Sequence, residues 1–277
     1  MDEIRAEQRT GNVGHIVAQG DGWRALEIVC SAGPQDRPYQ ERHAWSSISL
    51  VRSGTFAYRS DHGTALMSPG AMVLGTFGKS FECSHEHGGG DRCLSFQFTC
   101  ERFDAVAGDV GARRAGFEHD RIPPLHALAP LCARALNAVG KSSALEEVAL
   151  ELASAALQMD GATKGPRTTM TRDRMRIGEV LRHLELHHDE PRTLSELATL
   201  ARLSPFHFLR TFRIVTGVTP YQWIIRARLR EAARRLANTR QPITEIALEV
   251  GFEDLANFIR SFRVEFGVSP RRYRGLG

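Results

Sequence analysis

Short hydrophobic runs separated by turn sequences dominate the first hundred residues of the chain. Four of these runs are rich in β-branched or aromatic residues: ISLV (48–51), FAYR (56–59), AMVL (71–74) and CLSFQF (93–98). Turn sequences such as SDHG and HGGGD lie between them. Strands at this spacing are typical of a sandwich or a small barrel.

The pattern changes to a helical period between residues 125 and 160. The apolar positions that recur there are Leu125, Leu128, Leu131, Leu136, Leu145, Val148, Leu152 and Leu157. They predict a pair of helices, and their apolar faces predict a homodimer through residues 125–160. The stretch MDGATKGPRTTMT (159–171) then has the composition of a linker.

Everything after the linker is helical in pattern and contains a repeat. FRIVTGVTP (212–220) returns as FRVEFGVSP (262–270), and the longer segments 193–220 and 242–270 also align. The sequence therefore predicts a two-domain α+β protein. Its parts are a strand-rich domain over 1–162, a linker over 163–174 and an all-α domain over 175–277.

Each copy of the repeat predicts a short helix, a tight turn and a longer helix. Thr193 and Glu196 form a capping box for the first short helix. Ser204 and Asp254 stand where caps of the two longer helices are needed. This is helix-turn-helix geometry. A long helix from Pro220 separates the copies, so the two longer helices are expected to enter successive major-groove segments about 34 Å apart.

The charge distribution fits a polyanionic partner for the second half only. Residues 170–277 hold 19 Arg, no Lys and 12 Asp or Glu, a net charge of +7. The whole chain of 277 residues carries +4, so the remainder carries −3. The alternative interpretation is a solvated, arginine-rich helical repeat with no nucleic-acid role.

The C-terminal motifs resemble the DNA-binding domain of the AraC/XylS family of transcription regulators. The resemblance covers about residues 175–274 and rests on IALEVGFED, on the two repeat segments and on the terminal RRYR. It implies sequence-specific binding of double-stranded promoter DNA and activation through contact with RNA polymerase.

The exposed face of each longer helix supplies the candidate DNA contacts. Arginine can pair with guanine, asparagine with adenine, and apolar side chains with a thymine methyl. The residues expected to contact bases are Phe206, His207, Leu209, Arg210, Leu255, Ala256, Asn257 and Arg260. Those expected to contact phosphates are Thr219, Arg226, Ser269 and Arg271.

The first half resembles the cupin-like regulatory barrel of the same family. The resemblance rests on RHAWSSISLVRSGTFAYRS and LMSPGAMVLGTFG, and it implies a barrel that encloses a small effector. The H-x-H pair of cupin enzymes is broken here, because the region reads His43-Ala-Trp45. We therefore predict no enzymatic activity. A cupin enzyme with a DNA-binding tail and a constitutive DNA-binding dimer without effector are the alternatives.

A cluster of soft ligands lies in ECSHEHGGGDRC (82–93). Cys83, His85, His87 and Cys93 could bind Zn²⁺ or another thiophilic transition metal. A thiol-based sensor, an organic effector elsewhere in the barrel and a merely structural loop remain open alternatives. The five cysteines form an odd set, which argues against a disulfide framework.

The leading hypothesis is a one-component regulator that changes its DNA binding when the N-terminal domain senses a signal. The charged start, MDEIRAEQRTG, lacks the apolar core of a secretory signal. No run approaches the roughly 18 apolar residues of a membrane span. We expect a cytoplasmic protein without membrane contact.

Overall fold

The structure is a computed structural model that describes residues 12–85, 89–112, 116–139, 142–160 and 170–275. The N-terminal half contains ten strands among these residues, all paired antiparallel. The strands are β1 (Asn12–Gly20), β2 (Trp23–Cys30), β3 (Tyr39–Arg42), β4 (Ser46–Ser53), β5 (Phe56–Ser60), β6 (Gly63–Met67), β7 (Met72–Gly75), β8 (Ser80–Ser84), β9 (Asp91–Phe98) and β10 (Arg121–Ile122).

These strands form two sheets. A six-stranded sheet has the order β1-β2-β9-β4-β7-β10, and a four-stranded sheet has the order β3-β8-β5-β6. The four runs that the sequence predicts as strands lie in β4, β5, β7 and β9, which confirms them. In β9, Leu94, Phe96 and Phe98 are all fully buried against the helices that cover the sheet.

Among its described residues, the N-terminal half also contains three α-helices, one between β9 and β10 and two after β10. They are α1 (Cys100–Asp109), α2 (Ala129–Asn137) and α3 (Ser142–Asp160). Helix α3 packs on α1, α2 and the sheet, and it buries Leu145, Val148 and Leu152 in this chain's own core. Part of the apolar face on which the homodimer prediction rested is therefore already covered within one chain.

The closed barrel expected from the sequence does not form among the described strands. The two sheets remain separate, and no ladder joins their edges there. Large side chains, among them Phe56, Tyr58 and Met67, fill the space between the sheets. A cavity beside His43 has a volume of about 10 Å³, which is room for roughly one water and not for an organic effector.

The C-terminal half consists of helices. They are α4 (Thr171–Leu186), α5 (Leu194–Leu200), α6 (Pro205–Thr216), α7 (Pro220–Asn238), α8 (Ile243–Glu249), α9 (Leu255–Phe266) and α10 (Pro270–Arg274). Helix α4 begins inside the segment predicted as linker. Among the described residues, no helix is both long enough and apolar enough to span a membrane.

Candidate nucleic-acid interface

Helix α6 is the longer helix of the first repeat copy, and local signals fix both of its ends. The Ser204 hydroxyl accepts a hydrogen bond from the backbone N–H of His207 at 3.4 Å, and Pro205 occupies the first turn. Gly217 ends the helix with a φ of 84°, a conformation that glycine adopts without steric cost. Phe208 and Phe212 are fully buried, so the opposite face is free.

That free face of α6 presents all four residues predicted to contact bases. Phe206, His207, Leu209 and Arg210 are exposed, and Phe206 has 79% of its surface accessible. Leu209 is exposed on the same face, and neighbouring exposed apolar side chains fit contact with a partner. Arg213, which lies one helical turn beyond Leu209 and Arg210, is also exposed on this face.

Helix α9 repeats this arrangement in the second copy. The Asp254 carboxylate accepts hydrogen bonds from the backbone N–H groups of Ala256 at 2.9 Å and Asn257 at 3.2 Å. Phe258 and Phe262 are fully buried, like their counterparts in α6. The four predicted base contacts are exposed on the other side: Leu255, Ala256, Asn257 and Arg260.

The exposed face of α9 includes three residues that were not predicted from the sequence: Ile259, Arg263 and Val264. Ile259 and Arg263 line a shallow groove together with Ala256, Arg260 and Val264. The repeat alignment could have identified Arg263, because it matches Arg213 in α6. Helices α6 and α9 are called the recognition helices from here on. Each carries two arginines one turn apart, at equivalent positions of the repeat.

Helix α7 joins the two motifs because it contributes to both of their cores. Trp223 packs into the core of the first motif, whereas Leu229 and Leu236 pack into the core of the second. Arg228 adds hydrogen bonds to the carbonyl oxygens of His188, which precedes the first motif, and of Gly251, which lies in the turn of the second motif. The separation of the recognition helices is therefore set by one continuous helix.

Three of the four predicted phosphate contacts lie at helix starts. Thr219 and Ser269 are the N-caps of α7 and α10, and Arg271 is exposed in the first turn of α10. Helix N-termini attract anions, so these positions suit phosphates.

Arg226 is placed differently from the other predicted phosphate contacts. Its guanidinium donates to the carbonyl oxygen of Pro124 and pairs with Glu265 at 3.4 Å, and its side chain is only 14% exposed. A phosphate contact by Arg226 would require these partners to be released. The contact with Pro124 instead ties α7 to the N-terminal half.

Three of the four predicted metal ligands lie in or directly after strands β8 and β9. Cys83 is in β8, Cys93 is in β9 and His85 follows β8, whereas His87 lies outside the described residues. The pKa of the Cys83 thiol and that of the Cys93 thiol are raised well above the usual value, mainly because both thiols are buried. A thiol held in its protonated form is a poor nucleophile, which disfavours the thiol-sensor alternative.

The structure brings His85 together with two residues that the sequence reasoning did not include. Potential ligand atoms of Cys30, His85 and Asp91 all lie within 4.8 Å of one another. Cys30 is more than fifty residues away along the chain, and the pairing of β2 with β9 sets it opposite Asp91. Local spacing within residues 82–93 carries no signal for this contact.

The family model and the curated relatives match about a third of the chain. Residues 197–275 match a family model described as a helix-turn-helix domain. The chain is 38% identical over 98 residues to the transposon Tn10 TetD protein of Escherichia coli, covering 35% of this chain and 71% of that protein. It is 37% identical over 98 residues to the right origin-binding protein of Escherichia coli K12, covering 35% of this chain and 34% of that protein.

A solved structure is similar over the same share of the chain. The DNA-binding domain of AdpA, described as a global transcriptional factor and solved in complex with a target DNA, is 33% identical. The match covers 36% of this chain and 91% of that domain, with a TM-score of 0.36. The chain spans only 41% and 34% of the length of the first two curated relatives that it matches.

Proposed function

The chain belongs to the AraC family of transcription regulators, and from this premise we propose that it is a one-component regulator of transcription. It binds specific double-stranded DNA through α6 and α9, and it responds to a signal at its N-terminal half. Contact with RNA polymerase, and activation through that contact, are part of this proposal. A homodimer is not needed for two-site recognition, because one chain carries both recognition helices.

One observation carries the proposal. The two recognition helices expose matching faces with Arg210 and Arg260 at equivalent positions. The phenylalanines on the opposite faces are buried in the cores that share α7: Phe208, Phe212, Phe258 and Phe262. Exposed apolar side chains accompany these arginines in both helices, namely Phe206 and Leu209 in α6 and Leu255 and Ile259 in α9, and such groups favour a partner-binding surface. Major-groove recognition explains the apolar and cationic residues together.

The test uses DNA selected from a random duplex library with the full chain. We expect Arg210→Ala and Arg260→Ala each to lower affinity for the selected sequence by about 5- to 150-fold, equivalent to about 1–3 kcal/mol. Each variant should relax base preference in a different half of the site. Arg182→Ala is the matched control, because Arg182 is exposed on α4, outside both recognition helices.

Two outcomes would contradict the proposal. Recovery of no preferred sequence from the library would exclude sequence-specific recognition. Unchanged affinity and base preference in both recognition-helix variants would show that α6 and α9 are not the reading helices. The salt dependence of binding provides a further check, since the removal of one phosphate-binding side chain should make the slope of log K against log salt less steep by about 1.

A further inference from the structure

Three chain segments meet at one end of the space between the sheets. Cys30 ends β2, Asp91 begins β9 as its cross-strand partner, and His85 is the first residue after β8. The backbone at Gly90 has a φ of 77°, and a Cβ there would collide with the Cys30 carbonyl. Glycine at this position therefore lets the chain return closely against β2 and brings the three side chains together.

The three side chains are polar or ionisable, yet all are buried. Cys30 is 6% exposed, His85 is 5% exposed and Asp91 is 8% exposed. One Asp91 oxygen lies 2.7 Å from His85 Nε2, and the other accepts a hydrogen bond from the Cys93 thiol at 3.3 Å. The His85 imidazole already pairs with this buried carboxylate, and a metal ion bound between the two would supply a stronger compensating charge.

We propose that Cys30, His85 and Asp91 bind a thiophilic divalent metal ion, for which Zn²⁺ is the best match. Sulfur, imidazole nitrogen and carboxylate oxygen are the donors that Zn²⁺ takes in proteins, whereas Ca²⁺ and Mg²⁺ take oxygen donors. The potential donor atoms already lie within 4.8 Å of one another. Shifts of about 1 Å, which also open the 2.7 Å contact between His85 and Asp91, would give the roughly 3.3–3.8 Å donor separations of tetrahedral Zn²⁺. Three protein ligands leave a fourth position open.

Cys93 acts in this site as a supporting residue. Its thiol holds the second oxygen of Asp91, which fixes the orientation of the carboxylate. Partners that orient metal ligands typically change metal affinity by about 10- to 100-fold when they are removed. The sequence predicted Cys93 as a direct ligand. In its supporting role, its removal should weaken metal binding, whereas the removal of a direct ligand should abolish it.

The site adjoins a contact between the two halves of the chain. A Cβ at Gly54, in the turn between β4 and β5, would lie 2.8 Å from the Asp91 Cα. The backbone N–H of the same Gly54 donates to the Glu185 carboxylate of α4 at 2.9 Å. A rearrangement of Asp91 around an ion would therefore act on the turn that contacts α4. This step rests on the proposed function, because it identifies the signal with a metal ion.

The experiment measures metal content and Zn²⁺ affinity of the full chain, purified without affinity tag or chelator. We expect about one equivalent of Zn²⁺ in the wild type and its loss in Cys30→Ser and Asp91→Asn. Cys93→Ala should retain the ion with about 10- to 100-fold weaker affinity. Cys100→Ser is the matched control, because Cys100 lies at the start of α1 and should leave binding unchanged.

Co²⁺ substitution reports the donor set independently of affinity. A thiolate-to-Co²⁺ charge-transfer band should appear in the wild type and disappear in Cys30→Ser. Circular dichroism of each variant verifies folding, and the near-isosteric Asp91→Asn keeps the test valid if Cys30→Ser does not fold. A wild type that neither contains nor binds Zn²⁺ would overturn the proposal. Wild-type binding in both ligand variants would also overturn it and leave His85 and Asp91 as a structural pair.

DNA affinity, measured with and without Zn²⁺, separates this proposal from the proposed function. Binding of the ion with an altered affinity for the selected DNA supports both. Binding of the ion without any effect on DNA affinity supports the site and overturns its role as the signal. Failure to bind any specific DNA would overturn the proposed function and leave the metal measurement standing.

Discussion

Arg121 connects the two halves of the chain, and its removal should weaken that connection. The residue lies in β10 and is only 7% exposed. Its guanidinium donates to the Leu66 carbonyl at 3.0 Å and to the Val215 carbonyl at 2.6 Å. Val215 is in the last turn of α6, where carbonyl groups lack helical partners and the helix dipole favours a cation.

The size of the effect follows from two opposing contributions. Two hydrogen bonds from a charged donor contribute about 1.5–3 kcal/mol each. Burial opposes them by lowering the pKa of Arg121 from 12.5 to about 10, which corresponds to about 3 kcal/mol. The unpaired carbonyl groups left behind add to the destabilisation. We therefore expect Arg121→Met to reduce the free energy of unfolding by about 2 kcal/mol.

Tryptophan fluorescence and far-UV circular dichroism during urea unfolding would measure this change. Trp23 is buried in the N-terminal core and Trp223 in the core of the first helix-turn-helix motif, so single-tryptophan versions report on each half. In Arg121→Met the unfolding transitions reported by Trp23 and by Trp223 should occur at different urea concentrations. Arg59→Met is the control, since Arg59 forms an exposed ion pair with Glu82 and should change stability by less than about 0.5 kcal/mol. Wild-type stability with coincident transitions in Arg121→Met would refute the reasoning.

Two further changes test local interactions by urea unfolding. Asp254→Ala removes the N-cap of α9 and should cost about 1 kcal/mol, whereas Asp254→Asn should stay near the wild type; equal stability of all three would contradict the capping role. Burial lowers the pKa of His43 from 6.5 to about 4, so its contribution is complete above pH 6.5 and is lost as the pH falls towards 4. Between pH 6.5 and 4 the free energy of unfolding of His43→Gln should therefore fall by up to about 3 kcal/mol less than that of the wild type. Identical pH profiles of stability for the two proteins would disprove this prediction.

The sequence predicts the C-terminal half well because its signals are local. Caps such as Ser204 and Asp254, and aromatic pairs one helical turn apart, lie within a few residues of the features they determine. Each of these signals occurs twice, once in each copy of the repeat. Arg226 is the exception, because its partners Pro124 and Glu265 come from distant parts of the chain.

The N-terminal half is harder to predict from the sequence. The hairpin of β1 and β2 turns at Asp21-Gly22, a strong hairpin signal, but β1 is an edge strand with mostly exposed residues and shows little alternation. The proposed metal site depends on the register of β2 with β9, which aligns Cys30 with Asp91. The spacing of residues within 82–93 gives no information about that register.

The contacts between the two halves constrain how a signal can reach DNA. Arg121 holds α6 at Val215, and His126 pairs with Glu265 of α9 at 3.3 Å. Val215 and Glu265 both lie on the buried sides of their helices, opposite the faces that carry Arg210 and Arg260. The N-terminal half therefore contacts both α6 and α9 without covering the exposed faces that carry Arg210 and Arg260. A signal transmitted through these contacts would change the relative placement of α6 and α9, and so the DNA spacing they fit, rather than their access to DNA.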